Sequence, residues 1–95
     1  MKTYLEVISL EKYANISDAE IEKDIADTER EIAGYEATEK AEREIARSHP
    51  DQHERRMADF KAGAREGQRE ERRAFVAFLR RIQAARAAQA QEVAP

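Results

Sequence analysis

The sequence predicts an all-α protein: a short N-terminal helix followed by two long helices that fold back on each other as an antiparallel, coiled-coil-like hairpin, with surface left over for an oligomer. Three observations carry that prediction. Charged residues make up 39% of the 95-residue chain and aromatic residues 6%, with three Gly and two Pro, a balance that suits long solvated helices rather than a sheet. Two segments carry seam positions in alternating steps of three and four, the period of one helix stripe packed on another. Only Ser48-His49-Pro50 interrupts them, and so short a connection between long helices makes them antiparallel neighbours.

Length bounds the rest. A chain of this size forms one domain, here 1–95, and buries only about 60 to 65% of its unfolded surface. The stability margin is thin, so self-association is an expected way to complete the core.

Residues 4–14 form the first expected helix. Thr3-x-x-Glu6 has capping-box form, and Leu5, Ile8 and Lys12 share a helix face. Tyr4-Leu-Glu-Val-Ile8 would also suit a strand, but a lone strand in a helical chain has no sheet to join.

The second helix is expected over 18–47. Ser17-Asp-Ala-Glu20 is a capping box, in which the Ser17 hydroxyl accepts from a first-turn amide and Glu20 reaches back. Ile21, Ile25, Thr28, Ile32, Tyr35, Glu39, Glu42 and Ala46 then form a seam whose far end is polar. Gly34 lies inside it without breaking its phase, so the helix reads as continuous. Pro50 disfavours helical geometry at His49 and ends the run, leaving Ser48 or His49 to cap the next helix.

The third helix is expected over 50–86, with 87–95 a frayed tail. Its seam reads Met57, Phe60, Ala64, Gly67, Glu71, Phe75, Phe78, Ile82 and Ala85. A tight hairpin then makes facing residue numbers sum to about 97. This places Tyr35 against Gly63 and Gly67, a close helix approach; Asp24, Asp27 and Glu31 near Arg73, Arg69 and Arg65; and Arg55 and Arg56 opposite Glu42. Phe75, Val76, Phe78, Leu79 and Ile82 cover an arc of about 160°, wider than one partner helix hides. The N-terminal segment, through Tyr4, Leu5, Ile8, Leu10 and Tyr13, or a second subunit is expected to cover the surplus.

Charge divides between the halves. Met1–Arg47 carries 7 basic and 13 acidic residues and Asp51–Pro95 carries 10 and 7, within a whole-chain net charge of −3. The halves attract each other, and the net charge supplies no general pull toward nucleic acid. The absence of cysteine excludes a disulfide framework, a thiolate nucleophile and Cys-ligated zinc. No apolar run approaches the roughly 20 residues that span a bilayer, so no membrane partner and a cytoplasmic location are the expectation.

The residue patterns point away from catalysis. His49 and His53 are spaced like ligands, but Pro50 keeps His49 out of the helix and no Glu-x-x-His pattern supports a metal. Seam acids Glu39, Glu42 and Glu71 have arginines to pair with, the serines read as caps, and no Gly-rich phosphate loop is present. No enzyme activity, cofactor or metal is expected.

Three surfaces remain: an acidic ridge of Glu20, Asp24, Asp27 and Glu31; a basic stripe of Arg65, Arg69, Arg72, Arg73 and Arg80; and the apolar patch Phe75, Phe78, Leu79 and Ile82. The leading expectation is a non-catalytic protein-interaction module, an adaptor or an inhibitor that occludes a protein partner through the ridge or the patch, working as a homo-oligomer. The alternatives are a nucleic-acid binder using the arginine stripe and a small-ligand binder at an oligomer interface.

Overall fold

The computed structural model describes Tyr13 and residues 15–93, all of its regular structure α-helical. Two long helices, α1 (Asp18–Ser48) and α2 (Gln52–Val93), pack against each other. The helix expected over 4–14 lies outside the described residues, apart from Tyr13, which is helical. The rod measures 68 × 25 × 17 Å; its long axis is close to the ~63 Å that a helix of α2's length spans.

The ends of α1 follow from its caps. Ser17 sits in extended geometry and its hydroxyl accepts from the Glu20 amide at 3.1 Å. At the far end the His49 amide donates to the Ile45 carbonyl at 3.0 Å, and Pro50 comes next. The cap of α2 is Asp51 rather than Ser48 or His49: its carboxylate accepts from the His53 amide at 2.8 Å and the Glu54 amide at 3.4 Å. Ser48 instead donates back to the Glu44 carbonyl. His49 accepts the Asp51 amide through Nδ1 at 3.0 Å.

Helix α2 continues to Val93, whereas the sequence predicts fraying from 87. The run Ala87-Ala-Gln-Ala-Gln91 is exposed. Its residues are good helix formers, and extending an existing helix avoids the cost of nucleation.

The apolar core occupies one end of the hairpin, where the chain enters α1 and α2 comes back alongside. Ile21, Ile25 and Leu79 are 0 to 1% exposed, and Tyr13, Val76 and Ile82 complete the cluster. Ile16, Ile32, Phe75 and Phe78 pack against it from the edge. Tyr13 lies 5.9 Å from the Phe78 ring in edge contact and 6.2 Å from Phe75, so the surplus apolar arc is covered at least in part from within the chain. Arg86 ties this cover down by donating to the Tyr13 carbonyl at 2.9 Å.

The expected seam of α1 is the observed one: each of its eight positions from Ile21 to Ala46 is buried or half-buried. The expected seam of α2 holds only at Phe75, Phe78 and Ile82, which are buried or half-buried. Met57, Phe60, Ala64, Gly67, Glu71 and Ala85 are exposed, while Arg55, Ala58, Ala62, Arg65, Arg69, Arg72, Val76, Leu79, Gln83 and Arg86 are buried or half-buried. These also alternate in threes and fours. Arginine fills a seam by laying its aliphatic stem along the neighbour while its guanidinium reaches a carboxylate.

The register moves with the seam. Glu29 pairs with Arg80, Glu36 with Arg73 and Arg43 with Glu66, stepping seven residues up α1 and seven down α2. Facing numbers in these pairs sum to 109 rather than about 97. The connection explains the offset: His49 is extended (φ −65°, ψ 135°), and a few extended residues travel about 10 Å along the rod before α2 begins. Arg55 braces this strap by donating to the carbonyls of His49 at 2.7 Å and Pro50 at 3.2 Å.

The close approach of Tyr35 to Gly63 and Gly67 is therefore not made. A side chain added at either glycine would meet nothing within 4 Å. Tyr35 lies instead under the Arg72 guanidinium, 5.6 Å from its ring centre.

The two seams separate by mutation. Leu79→Ala should destabilise the hairpin by about 2 to 5 kcal/mol in urea unfolding. Phe60→Ala should change it by no more than about 0.5 kcal/mol. Equal losses at the two positions would contradict this packing.

Candidate functional site

Beyond the apolar end the helices meet through charge. Glu39, 7% exposed, takes Arg43 Nε at 2.8 Å from its own helix and Arg69 from across the interface. One layer on, Arg65 Nε lies 3.6 Å from Glu42, too long for a hydrogen bond. Glu42 Oε2, Arg65 Nε and Arg69 Nε are buried without a hydrogen-bond partner. The small side chains of Ala58 and Ala62, 5% and 0% exposed, occupy the seam beyond this charged stretch.

This seam consumes the basic stripe. Arg65 faces Glu42, Arg69 holds Glu39, Arg72 reaches Glu31 at 3.2 Å, Arg73 bridges Glu36 and Glu70, and Arg80 meets Glu29 at 2.8 Å. The expected pairings with Asp24, Asp27 and Glu31, and of Arg55 and Arg56 with Glu42, are replaced by these, because the register is displaced by more than a heptad. Hydrogen bonding holds two guanidiniums above their ordinary range: Arg43 chiefly through Glu39, and Arg72 chiefly through Glu31.

The acidic ridge is divided. Asp27 is held by Lys23 at 3.0 Å and by Arg30, and the Lys23 bond is the main reason its carboxyl lies below the usual range. Glu31 belongs to Arg72. Glu20 and Asp24 make no ion pair among the described residues, so the unspent negative charge gathers at the start of α1. Asp24 also acts on Tyr13, whose phenol is pushed above its ordinary value mainly by burial and secondarily by that carboxylate.

The apolar patch changes character. Leu79 and Ile82 are core, and Phe75 and Phe78 are half-buried beneath Tyr13; they are not an open docking face. Among the described residues the exposed large apolar side chains lie at the other end: Phe60 at 75%, Met57 at 40% and Ile45 at 42%. The apolar periodicity of the sequence predicts Met57 and Phe60 inside the hairpin. The signal that places them outside is the competing stripe Arg55, Ala58, Ala62, Arg65 and Arg69, equally regular but lacking large apolar residues.

A shallow groove beside the polar seam is lined by Glu36, Glu39, Lys40, Arg43, Asp59 and Arg69, among others. It mixes both signs of charge, so it selects neither an anion nor a cation. No described helix is long and apolar enough to cross a membrane.

The polar seam responds to single and paired changes differently. Arg69→Leu should cost about 3 kcal/mol by leaving Glu39 short of a partner, whereas Arg69→Leu with Glu39→Leu should recover most of that loss. A double mutant as unstable as the single would show that the ion pair itself stabilises the fold. Tyr13 supplies a pH test. A phenol whose folded-state pKa is raised contributes stability that is intact below 10.0 and is lost as pH rises through the folded value. Thermal melts should therefore fall more steeply above pH 10.0 for the native chain than for Tyr13→Phe; parallel curves would remove Tyr13 from the core.

Neither a family model, nor a curated protein, nor a solved structure matches the chain.

Proposed function

We propose that this protein is a non-catalytic protein-interaction module, an adaptor or an inhibitor that docks through the outer face of α2 near the hairpin turn. The observation that carries this reading is Phe60. It is 75% exposed on a helix whose other face is already committed to α1. A phenyl ring in water gains more from a protein partner than any other exposed group among the described residues, and aromatic anchors dominate interface energetics. Met57 on the same face enlarges the patch, and Gly63 and Gly67 leave the surface beside it open to close approach.

A rigid charged rod suits such a role, because docking orders little that is not already ordered. Glu20 and Asp24 at the opposite end, without an ion pair among the described residues, offer a second contact for a basic partner surface. The nucleic-acid reading loses its main support, since each arginine of the basic stripe already faces a carboxylate. Small-ligand binding gains none from the mixed-charge groove.

The test is affinity capture with the native chain and Phe60→Asp, each checked for unchanged helicity by circular dichroism. The native chain should retain a protein partner, a second copy included, that Phe60→Asp loses. Equal retention by both, or none by either together with a monomeric mass, would overturn the reading.

A further inference from the structure

We infer that the occupant of this face is a second copy of the same chain, docked antiparallel through α2 about a two-fold axis level with Ala62. The inference rests on the interaction reading above and names its partner. It comes from the pattern of size and charge along the exposed stripe.

His53, Met57, Phe60, Ala64, Gly67 and Glu71 step along α2 in fours and threes, and all are exposed. They run away from α1, which takes the opposite stripe. Each half of the run differs from the other in both volume and charge. Large residues lie toward the hairpin turn and small ones beyond Ala62, while His53 and Arg56 stand on the turn side and Glu70 and Glu71 on the far side.

A two-fold axis at Ala62 brings these halves together. Met57 then lies over the second copy's Gly67, and Phe60 over the second copy's Ala64, each contact occurring twice. Nothing within 4 Å of a side chain added at Gly63 or Gly67 obstructs the approach, and small residues let helix axes come near the short end of their usual separation of about 8 to 10 Å. On the flanks Arg56 falls beside the second copy's Glu70, and His53 beside the second copy's Glu71. Arg56 makes no ion pair among the described residues, and Glu70, whose Oε1 meets Arg73 at 3.1 Å and Arg69 at 3.4 Å within the chain, keeps its second carboxylate oxygen for this contact.

A parallel pairing of the same faces fails on both counts. It would set Phe60 on Phe60 and glycine on glycine, with Arg56 of each copy beside the second copy's Lys61, and like charges directly opposed are repelled. The antiparallel arrangement has one like-charge approach, Lys61 near the axis. Its exposed ammonium can swing outward on its flexible stem while the methylenes cover the interface edge. The interface is isologous, so it closes at two copies and does not propagate.

The experiment is sedimentation equilibrium on the purified full chain from about 10 to 500 µM, the range in which a modest apolar interface associates. The native chain should approach twice its 10.9 kDa as concentration rises, and Phe60→Asp should remain at the single mass with its helicity unchanged. Arg56→Glu and Glu70→Arg should each weaken association by about tenfold or more. Mixing those two variants should restore it, because every crossing pair in the mixed dimer then joins opposite charges. A native chain that stays at 10.9 kDa across the range, or a dimer indifferent to Phe60→Asp, overturns the inference. So does failure of the mixture to recover while both single variants are weakened. If the native chain is monomeric and Phe60→Asp still loses a captured protein, only the second copy is excluded and the interaction reading stands. If capture is absent as well, both fall.

Discussion

The hairpin depends on one apolar clasp, Leu79 of α2 with Ile21 and Ile25 of α1, none of them more than 1% exposed. These residues lie far from the turn, at the open end of the rod. Closing them brings together positions more than fifty residues apart along the chain, and the helices between must then lie side by side. Tyr13, Phe75 and Phe78 extend the clasp outward, and Arg86 fastens the Tyr13 backbone over it. A chain this short has no other sizeable apolar cluster among the described residues, so the rest of the fold is held in place from this end.

What the clasp leaves open, charge decides. The ladder Glu29–Arg80, Glu36–Arg73 and Arg43–Glu66 changes sign between its second and third rungs. Sliding one helix by a heptad toward the turn sets Glu36 against Glu66, and sliding it the other way sets Arg43 against Arg73. The ladder therefore acts as a register check more than a source of stability, in keeping with the small worth of exposed ion pairs. Glu39 and Arg69, more deeply buried, cost desolvation and offset it by direct bonding. The arginines that look like a nucleic-acid stripe in the sequence are the residues that set the register of the second half of the hairpin.

The consequence for function is spatial. With Tyr13 over the apolar end and the arginines occupied, the surface least reconciled with water among the described residues is the outer face around Phe60 and Met57. The glycines at 63 and 67 lie on the same face. They accommodate nothing among the described residues, and a glycine inside a helix costs about 1 kcal/mol relative to alanine.

The sequence by itself determined the two long helices, the seam of α1 and the antiparallel hairpin. These rest on local chemistry: the Ser17 cap, the break at Pro50, and a three-four pattern from Ile21 to Ala46 that has no rival on its helix. It also marked Ile21, Ile25 and the Phe75–Ile82 segment as apolar neighbours, and Tyr13 among their covers. Only the tertiary structure decided which face of α2 turns inward. Two stripes there have the same period, one carrying Met57 and Phe60 and the other Arg55, Ala58, Ala62, Arg65 and Arg69. A count of apolar residues favours the first. The second wins because its arginines meet the acids of the α1 seam, and because the extended strap at His49 displaces α2 along the rod, neither of which is visible until both helices are in place. The same choice turned Phe60 from a core residue into the most exposed large apolar side chain described.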